Sequence, residues 1–253
     1  MSSCAAREPE SEESHIPNAT EAESVFRQES EAKEAFLPQS ADAGSEYIDS
    51  FIFLGESTTY HLKNRGVLSG GQSTKQVWGP KSGTLMLDST TSSCRIVYPE
   101  TNEEIDIGEA VRKNKPKYML LTFGLNGASK NISNGAEYFK ASYKKLIKTI
   151  QNASPDTVII LQSCFPVAKN MDMSSYDIEV STLNKYIDVI NSWTQELAQN
   201  MKIGYLNTAE ILKDESGSLI FEYQAGDGYH LTADAYRKIL YYIRTHAHSG
   251  EIK

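Results

Sequence analysis

The sequence predicts a three-layer α/β/α domain built on a parallel sheet, and three observations carry that expectation. Apolar runs recur at 51–54 (FIFL), 118–123 (YMLLTF) and 158–161 (VIIL), with a fourth strand-like segment at 203–206. Short continuous runs of this kind suit strands buried on both faces. Between them lie segments with apolar residues at helical spacing, such as Phe139, Tyr143, Leu146, Ile147 and Ile150. Strands that alternate with helices imply a parallel sheet covered on both sides.

The elements follow in order. The first strand is expected at 50–54, and Gly55 ends it. A helix at 58–65 comes next, with Ser57 at its start. Gly66, Gly70 and Gly71 mark a loop, and 76–78 reads as a short strand closed by Gly79-Pro80. Segments 84–87 (TLML) and 95–98 (RIVY) read as strands. The turn at 99–102 lets 104–105 return as a hairpin, a small β insertion. A short helix is expected at 106–113 and a longer one at 135–151. Leu183, Tyr186, Ile187, Ile190, Trp193 and Leu197 place one face of a helix over 176–199. After the strand at 203–206 come a helix near 208–213 and a loop at 214–229. The last helix runs over 233–246, with Thr232 as its N-cap.

Composition sets the boundaries. The formal net charge is −8, and residues 1–46 hold eleven acids against Arg7, Arg27 and Lys33. Residues 47–253 are therefore formally neutral. Residues 1–46 are expected to be a disordered acidic tether, and 47–253 the folded domain. No basic stripe appears, which argues against a nucleic-acid partner. No run of eighteen apolar residues exists. Cys4, Cys94 and Cys164 form no C-x-x-C pair and no zinc-spaced cluster. Cys4 stands between small residues, ahead of a polar acidic stretch, as the lipidated cysteine of a bacterial lipoprotein does. The apolar region that precedes such a cysteine does not stand in residues 1–3. The expectation is an extracellular domain whose membrane contact is a lipid anchor at Cys4.

Three separated features converge on the carboxyl edge of the predicted sheet, where ligands sit in open α/β folds. Ser57 follows the first strand at a helix N-terminus, where unpaired N–H groups favour developing negative charge. Taken alone it reads as a helix cap. Asn126 follows the 118–123 strand. The segment GDGYHL then precedes the last helix. Asp227 and His230, three apart, suit a carboxylate holding one ring nitrogen while the other faces outward. Such a histidine can take a serine proton and return it to a leaving group. Ser57 N–H and the Asn126 amide are the candidate oxyanion donors. His61 is the rival base, without a carboxylate to orient it, and reads as a wall or surface residue. Trp78 and Tyr229 line a pocket or the core. The segment Ser163-Cys164-Phe165-Pro166 ends a strand on this edge. No G-x-S-x-G elbow, phosphate loop, H-E-x-x-H or EF-hand is present, and no cofactor or metal is implied.

These residues resemble the SGNH subset of the GDSL esterases and lipases. The serine block, usually Gly-Asp-Ser, is Gly55-Glu56-Ser57 here. The asparagine block, usually Gly-x-Asn-Asp, is Gly124-Leu125-Asn126-Gly127. The last block, Asp-x-x-His-Leu, is Asp227-Gly228-Tyr229-His230-Leu231. The resemblance covers about 47–247. It implies a flavodoxin-like fold and an esterase with Ser57 as nucleophile, His230 as base and Asp227 as its orienting acid. It also implies an oxyanion hole of Ser57, Asn126 and a block-two glycine, for which Gly83 is the choice and Gly79 the rival. Glu56 and Gly127 depart from the usual aspartates. Short acyl esters, with acetyl on carbohydrate foremost, are the substrates this reading expects. An acyltransferase of the same fold, and a surface binding module without catalysis, are the alternatives.

Overall fold

The computed structural model describes residues 36–88, 90–174 and 177–250. Cys4 and most of the expected tether lie outside the described residues. Among these the sheet has five parallel strands: β1 (Phe51–Gly55), β2 (Val77–Trp78), β5 (Tyr118–Thr122), β6 (Val158–Gln162) and β7 (Gly204–Leu206). Their order is β2-β1-β5-β6-β7. Counting only these strands, that is the flavodoxin-like order, with the crevice between β1 and β5 where the winding reverses. Register across it runs from Phe51 beside Tyr118 to Gly55 beside Thr122. A separate antiparallel hairpin joins β3 (Arg95–Val97) to β4 (Glu104–Asp106), as the 99–102 turn predicts. It is tied to the sheet where Val97 N–H donates to Gly79 O at 2.9 Å.

Among the described residues the α-helices are α1 (Gly44–Asp49), α2 (Ser57–Asn64), α3 (Ile107–Asn114), α4 (Ala128–Asn134), α5 (Ala136–Ala153), α6 (Val180–Met201) and α7 (Ala233–Arg244). Side chains alternate across each strand. Ile52, Leu54, Met119 and Leu121 face one layer, with Val111 of α3, Phe139 and Tyr143 of α5, and Ile187 and Ile190 of α6. Phe51, Phe53 and Leu120 face the other, with Ile48 of α1, Leu62 of α2, and Tyr236 and Ile239 of α7. The three-layer expectation holds. Thr232 caps α7, its hydroxyl accepting from Ala235 N–H at 3.4 Å.

Several expectations are corrected. Segment 84–87 is not a strand. Leu85 and Leu87 are buried while Met86 is 42% exposed, so it alternates like a strand but lies in a loop without a ladder partner. The helix expected near 208–213 is a single 3-10 turn, Thr208–Ile211. Residues 36–46 do not stand apart from the domain. Phe36 bridges Tyr205 beside β7, Leu37 is buried, and Asp42 pairs with Arg244 of α7. The packed chain thus begins ahead of residue 47. Whether Cys94 and Cys164 pair is a point the sequence leaves open, and here they are unbridged thiols.

Candidate active site

Gly55 sets the serine in place. A Cβ there would lie 2.4 Å from both Thr122 O and Thr59 Oγ1, so only glycine lets β1 pass this close to β5 and to α2. The chain turns at Glu56 and begins α2 at Ser57, whose side chain stands at the carboxyl edge of the sheet. The segment before α7 brings the partners. Ala168 N–H donates to Gly228 O at 2.7 Å, and Ala225 N–H to His230 O at 2.8 Å. Gly228 has φ +87, and a Cβ would meet Met171 Cα and Cβ at 2.6 Å. Arg65, which caps the end of α2, donates to Leu231 O at 2.9 Å and ties the serine helix to the histidine segment.

Ser57 Oγ lies 3.0 Å from His230 Nε2, and His230 Nδ1 lies 2.7 Å from Asp227 Oδ2. Asp227 Oδ1 accepts the backbone N–H groups of Tyr229 and His230 at 3.1 and 2.9 Å. Burial pushes the Asp227 carboxyl up, but the hydrogen bonds from His230 and Tyr229 together hold it below the usual carboxylate range. An ionised Asp227 keeps the proton on Nδ1 and leaves Nε2 free to accept from the serine. The structure therefore joins Ser57, His230 and Asp227 into one hydrogen-bonded chain.

Asn126 reaches the same place from β5. Its Nδ2 and the Ser57 N–H converge on a single oxygen, Thr84 Oγ1, at 2.9 and 3.0 Å. Asn126 Nδ2 also donates to Leu85 O at 3.2 Å. Gly83 is not brought into this arrangement: its N–H donates to Pro80 O at 2.9 Å and closes a turn. Thr84 was not singled out by sequence reasoning, because TLML reads as a strand. Its position directly after Gly83, the glycine chosen for block two, is the signal that could have marked it.

Glu56 does more than fill the usual aspartate position. It is 1% exposed, and its Oε1 accepts from Gly124 N–H at 2.9 Å while Oε2 accepts from Leu125 and Asn126 N–H at 3.2 and 3.0 Å. The longer side chain clamps the asparagine block from beneath. Burial pushes this carboxyl up to about 7, against the pull of the three donors. His61 stacks on His230, ring centroids 3.9 Å apart and planes within 6°. The expected wall residue is thus part of the site's frame. Burial, then the His230 and Arg65 charges, holds His61 down to about 4, so its ring is neutral at ordinary pH. Trp78 is buried in the core, whereas the Tyr229 ring lies tilted beside His230, centroids 4.1 Å apart. Ser163 to Pro166 are buried, and Cys164 bonds with Asn191 rather than facing the site.

A serine, an imidazole and a carboxylate at the carboxyl edge of a parallel sheet are the parts of an acyl-transferring hydrolase. The chain belongs to the GDSL-like Lipase/Acylhydrolase family, whose sequence model matches residues 53–238. It is a hydrolase of that family. Among solved structures it is similar to a GDSL-like lipase from Bacteroides thetaiotaomicron, 14% identical over 87% of this chain and 94% of the other, with a TM-score of 0.52. It is likewise similar to a protein assigned to the G-D-S-L lipolytic family from Desulfitobacterium hafniense, 14% identical over 78% and 98%, with a TM-score of 0.53. These likenesses show the shared fold. No curated protein matches the chain.

Proposed function

We propose that this protein is a serine esterase that releases short acyl groups, acetyl foremost, from a carbohydrate alcohol. The observation that carries the reaction is the relay from Ser57 Oγ through His230 to Asp227, set against two N–H donors that converge on one point. Ser57 Oγ attacks the ester carbonyl as His230 Nε2 takes its proton. The tetrahedral oxyanion forms between Ser57 N–H and Asn126 Nδ2. Collapse breaks the bond to the alcohol, which leaves with the proton held on His230. Water, deprotonated by His230, then releases the acid from Ser57. The choice of alcohol is supported by the open histidine end of the site, where the Asp227 side chain is 44% exposed. The residues around Cys4 support an extracellular, lipid-tethered placement.

The test is turnover of p-nitrophenyl acetate and longer esters by the full chain, beside Ser57→Ala and His230→Ala. Activity greatest on acetate and lost in both variants is expected, and full activity in Ser57→Ala refutes the assignment. Release of acetate from an acetylated oligosaccharide, with a second sugar added as competitor, separates hydrolysis from transfer. For the tether, mass spectrometry of the protein isolated from its own cells should find a lipid thioether on Cys4, and an unmodified Cys4 refutes it.

A further inference from the structure

We propose that Thr84 plugs the oxyanion hole at rest, and that substrate enters by turning its side chain aside. This rests on the esterase reading above. An oxyanion hole is defined by donors 2.7–3.1 Å from the place the oxyanion will take. Thr84 Oγ1 satisfies that definition with both donors, Ser57 N–H at 3.0 Å and Asn126 Nδ2 at 2.9 Å. The hydroxyl therefore occupies the place of the substrate's carbonyl oxygen. It is held from its own side as well, since it donates to Leu85 O at 3.2 Å. Two accepted bonds and one donated bond fill a hydroxyl's capacity.

The neighbouring contacts let the plug leave without dismantling the hole. Asn126 Nδ2 bonds to Leu85 O at 3.2 Å as well as to Thr84. Leu85 is buried, so that carbonyl is a fixed anchor, and it keeps the amide turned the same way when Thr84 moves. Ser57 N–H is fixed by the start of α2. A threonine Cβ carries an oxygen, a methyl and a hydrogen, and its three staggered rotamers place each of them in turn at one spot. One rotamer puts the hydrogen in the hole and clears it. A water in the hole would diffuse away on binding, whereas this hydroxyl stays in the site and returns after each turnover. Thr84 is thus a specificity-determining residue: an ester must present a carbonyl oxygen able to replace both hydrogen bonds before Ser57 can react.

The experiment measures the rate at which a fluorophosphonate labels Ser57 in the full chain. In that reaction Ser57 Oγ forms a bond to phosphorus, fluoride leaves, and His230 takes the serine proton. Thr84→Ala removes both the oxygen and the methyl, while Thr84→Ser keeps the plug. Labelling is expected to quicken about three- to tenfold in Thr84→Ala, the worth of about one net hydrogen bond, and to stay at the parent rate in Thr84→Ser. A Thr84→Ala rate that is unchanged overturns the plug. A slower one overturns it too, and would make Thr84 a third donor to the oxyanion. A crystal structure of the phosphonylated parent gives a check that needs no variant. The phosphoryl oxygen should sit on Ser57 N–H and Asn126 Nδ2 with Thr84 Oγ1 rotated off them, and a Thr84 hydroxyl still bonded to both refutes the proposal. An unlabelled, inactive parent would instead sink the esterase reading, so the two failures are distinct.

Discussion

Glu56→Gln tests how the site is held together. The buried carboxylate gathers the N–H groups of Gly124, Leu125 and Asn126 at 2.9, 3.2 and 3.0 Å. A glutamine amide offers one acceptor oxygen where the carboxylate offers two. With that oxygen toward Leu125 and Asn126, its NH₂ group faces the Gly124 N–H. One buried donor is then unpaired, a loss of about 1–3 kcal/mol, and the flipped amide strands two. The substitution also removes a titration. Burial raises the Glu56 carboxyl from 4.5 to about 7, which is worth about 3 kcal/mol. A carboxyl raised in the folded state favours folding below pH 4.5, and that contribution is lost as pH rises through 7. The parent should therefore lose up to about 3 kcal/mol over this window that the variant does not, and the stability gap between them should shrink as pH rises. Catalysis should suffer more. Removing one oxyanion donor costs about 3–4 kcal/mol. Loosening the backbone of Asn126 should capture part of that, lowering kcat about 10–100-fold at pH 8 with KM little changed. Urea unfolding of both proteins from pH 4.5 to 8, with kcat on p-nitrophenyl acetate, supplies the data. Parallel stability curves would refute the burial argument, and a kcat equal to the parent's would refute the clamp.

Three further outcomes are expected. Asp227→Asn sets an NH₂ group against His230 Nδ1, disfavours the useful tautomer and should lower kcat about 10³–10⁴-fold; steady-state kinetics near neutral pH would show it, and a kcat close to the parent's would contradict it. His61→Ala should lower kcat/KM about two- to tenfold through loss of the ring stack, and His61→Phe should restore it with the acid limb of the pH profile unmoved. Because His61 is held below its usual 6.5, its stabilising contribution is present above pH 6.5 and fades as pH falls through about 4, so His61→Phe should flatten acid unfolding in that window. Gly228→Ala forces a Cβ against the Met171 backbone at positive φ, and should lower both the melting temperature and kcat, since Asp227 and His230 flank it.

The strands were legible wherever burial on both faces made the sequence continuously apolar, as in β1, β5 and β6. The serine and asparagine blocks were legible because each interrupts such a run at its carboxyl end, and the histidine block because Asp227 and His230 stand three apart in a glycine turn directly before the last helix. Segment 84–87 misled because burial of Leu85 and Leu87 produces the alternation of a strand without any ladder to pair with. The role of Thr84 depends on two donors arriving from β1 and β5, a convergence that no local pattern encodes. His61 lies one helical turn beyond Ser57 and close to it, but its stacking on His230 follows from the approach of a segment more than 160 residues away. The packing of 36–43 went unread because Phe36 and Leu37 are isolated apolar residues in an acidic stretch, and only the exposed side of β7 gives them a place.

That short stretch beside β7 has a consequence for how the protein behaves in concentrated solution. An outermost strand leaves a row of unpaired backbone groups that another chain can add to. Here Leu37 N–H donates to Tyr205 O at 3.1 Å, and the Leu37 side chain lies over Gly204, where a Cβ would meet it at 3.2 Å. Asp42 holds the stretch down through Arg244. Residues 36–43 thus act as a guard rail against edge-to-edge association. A fragment begun at residue 47 would keep every residue of the candidate site and still lose this protection, so it should self-associate where the longer chain stays dispersed.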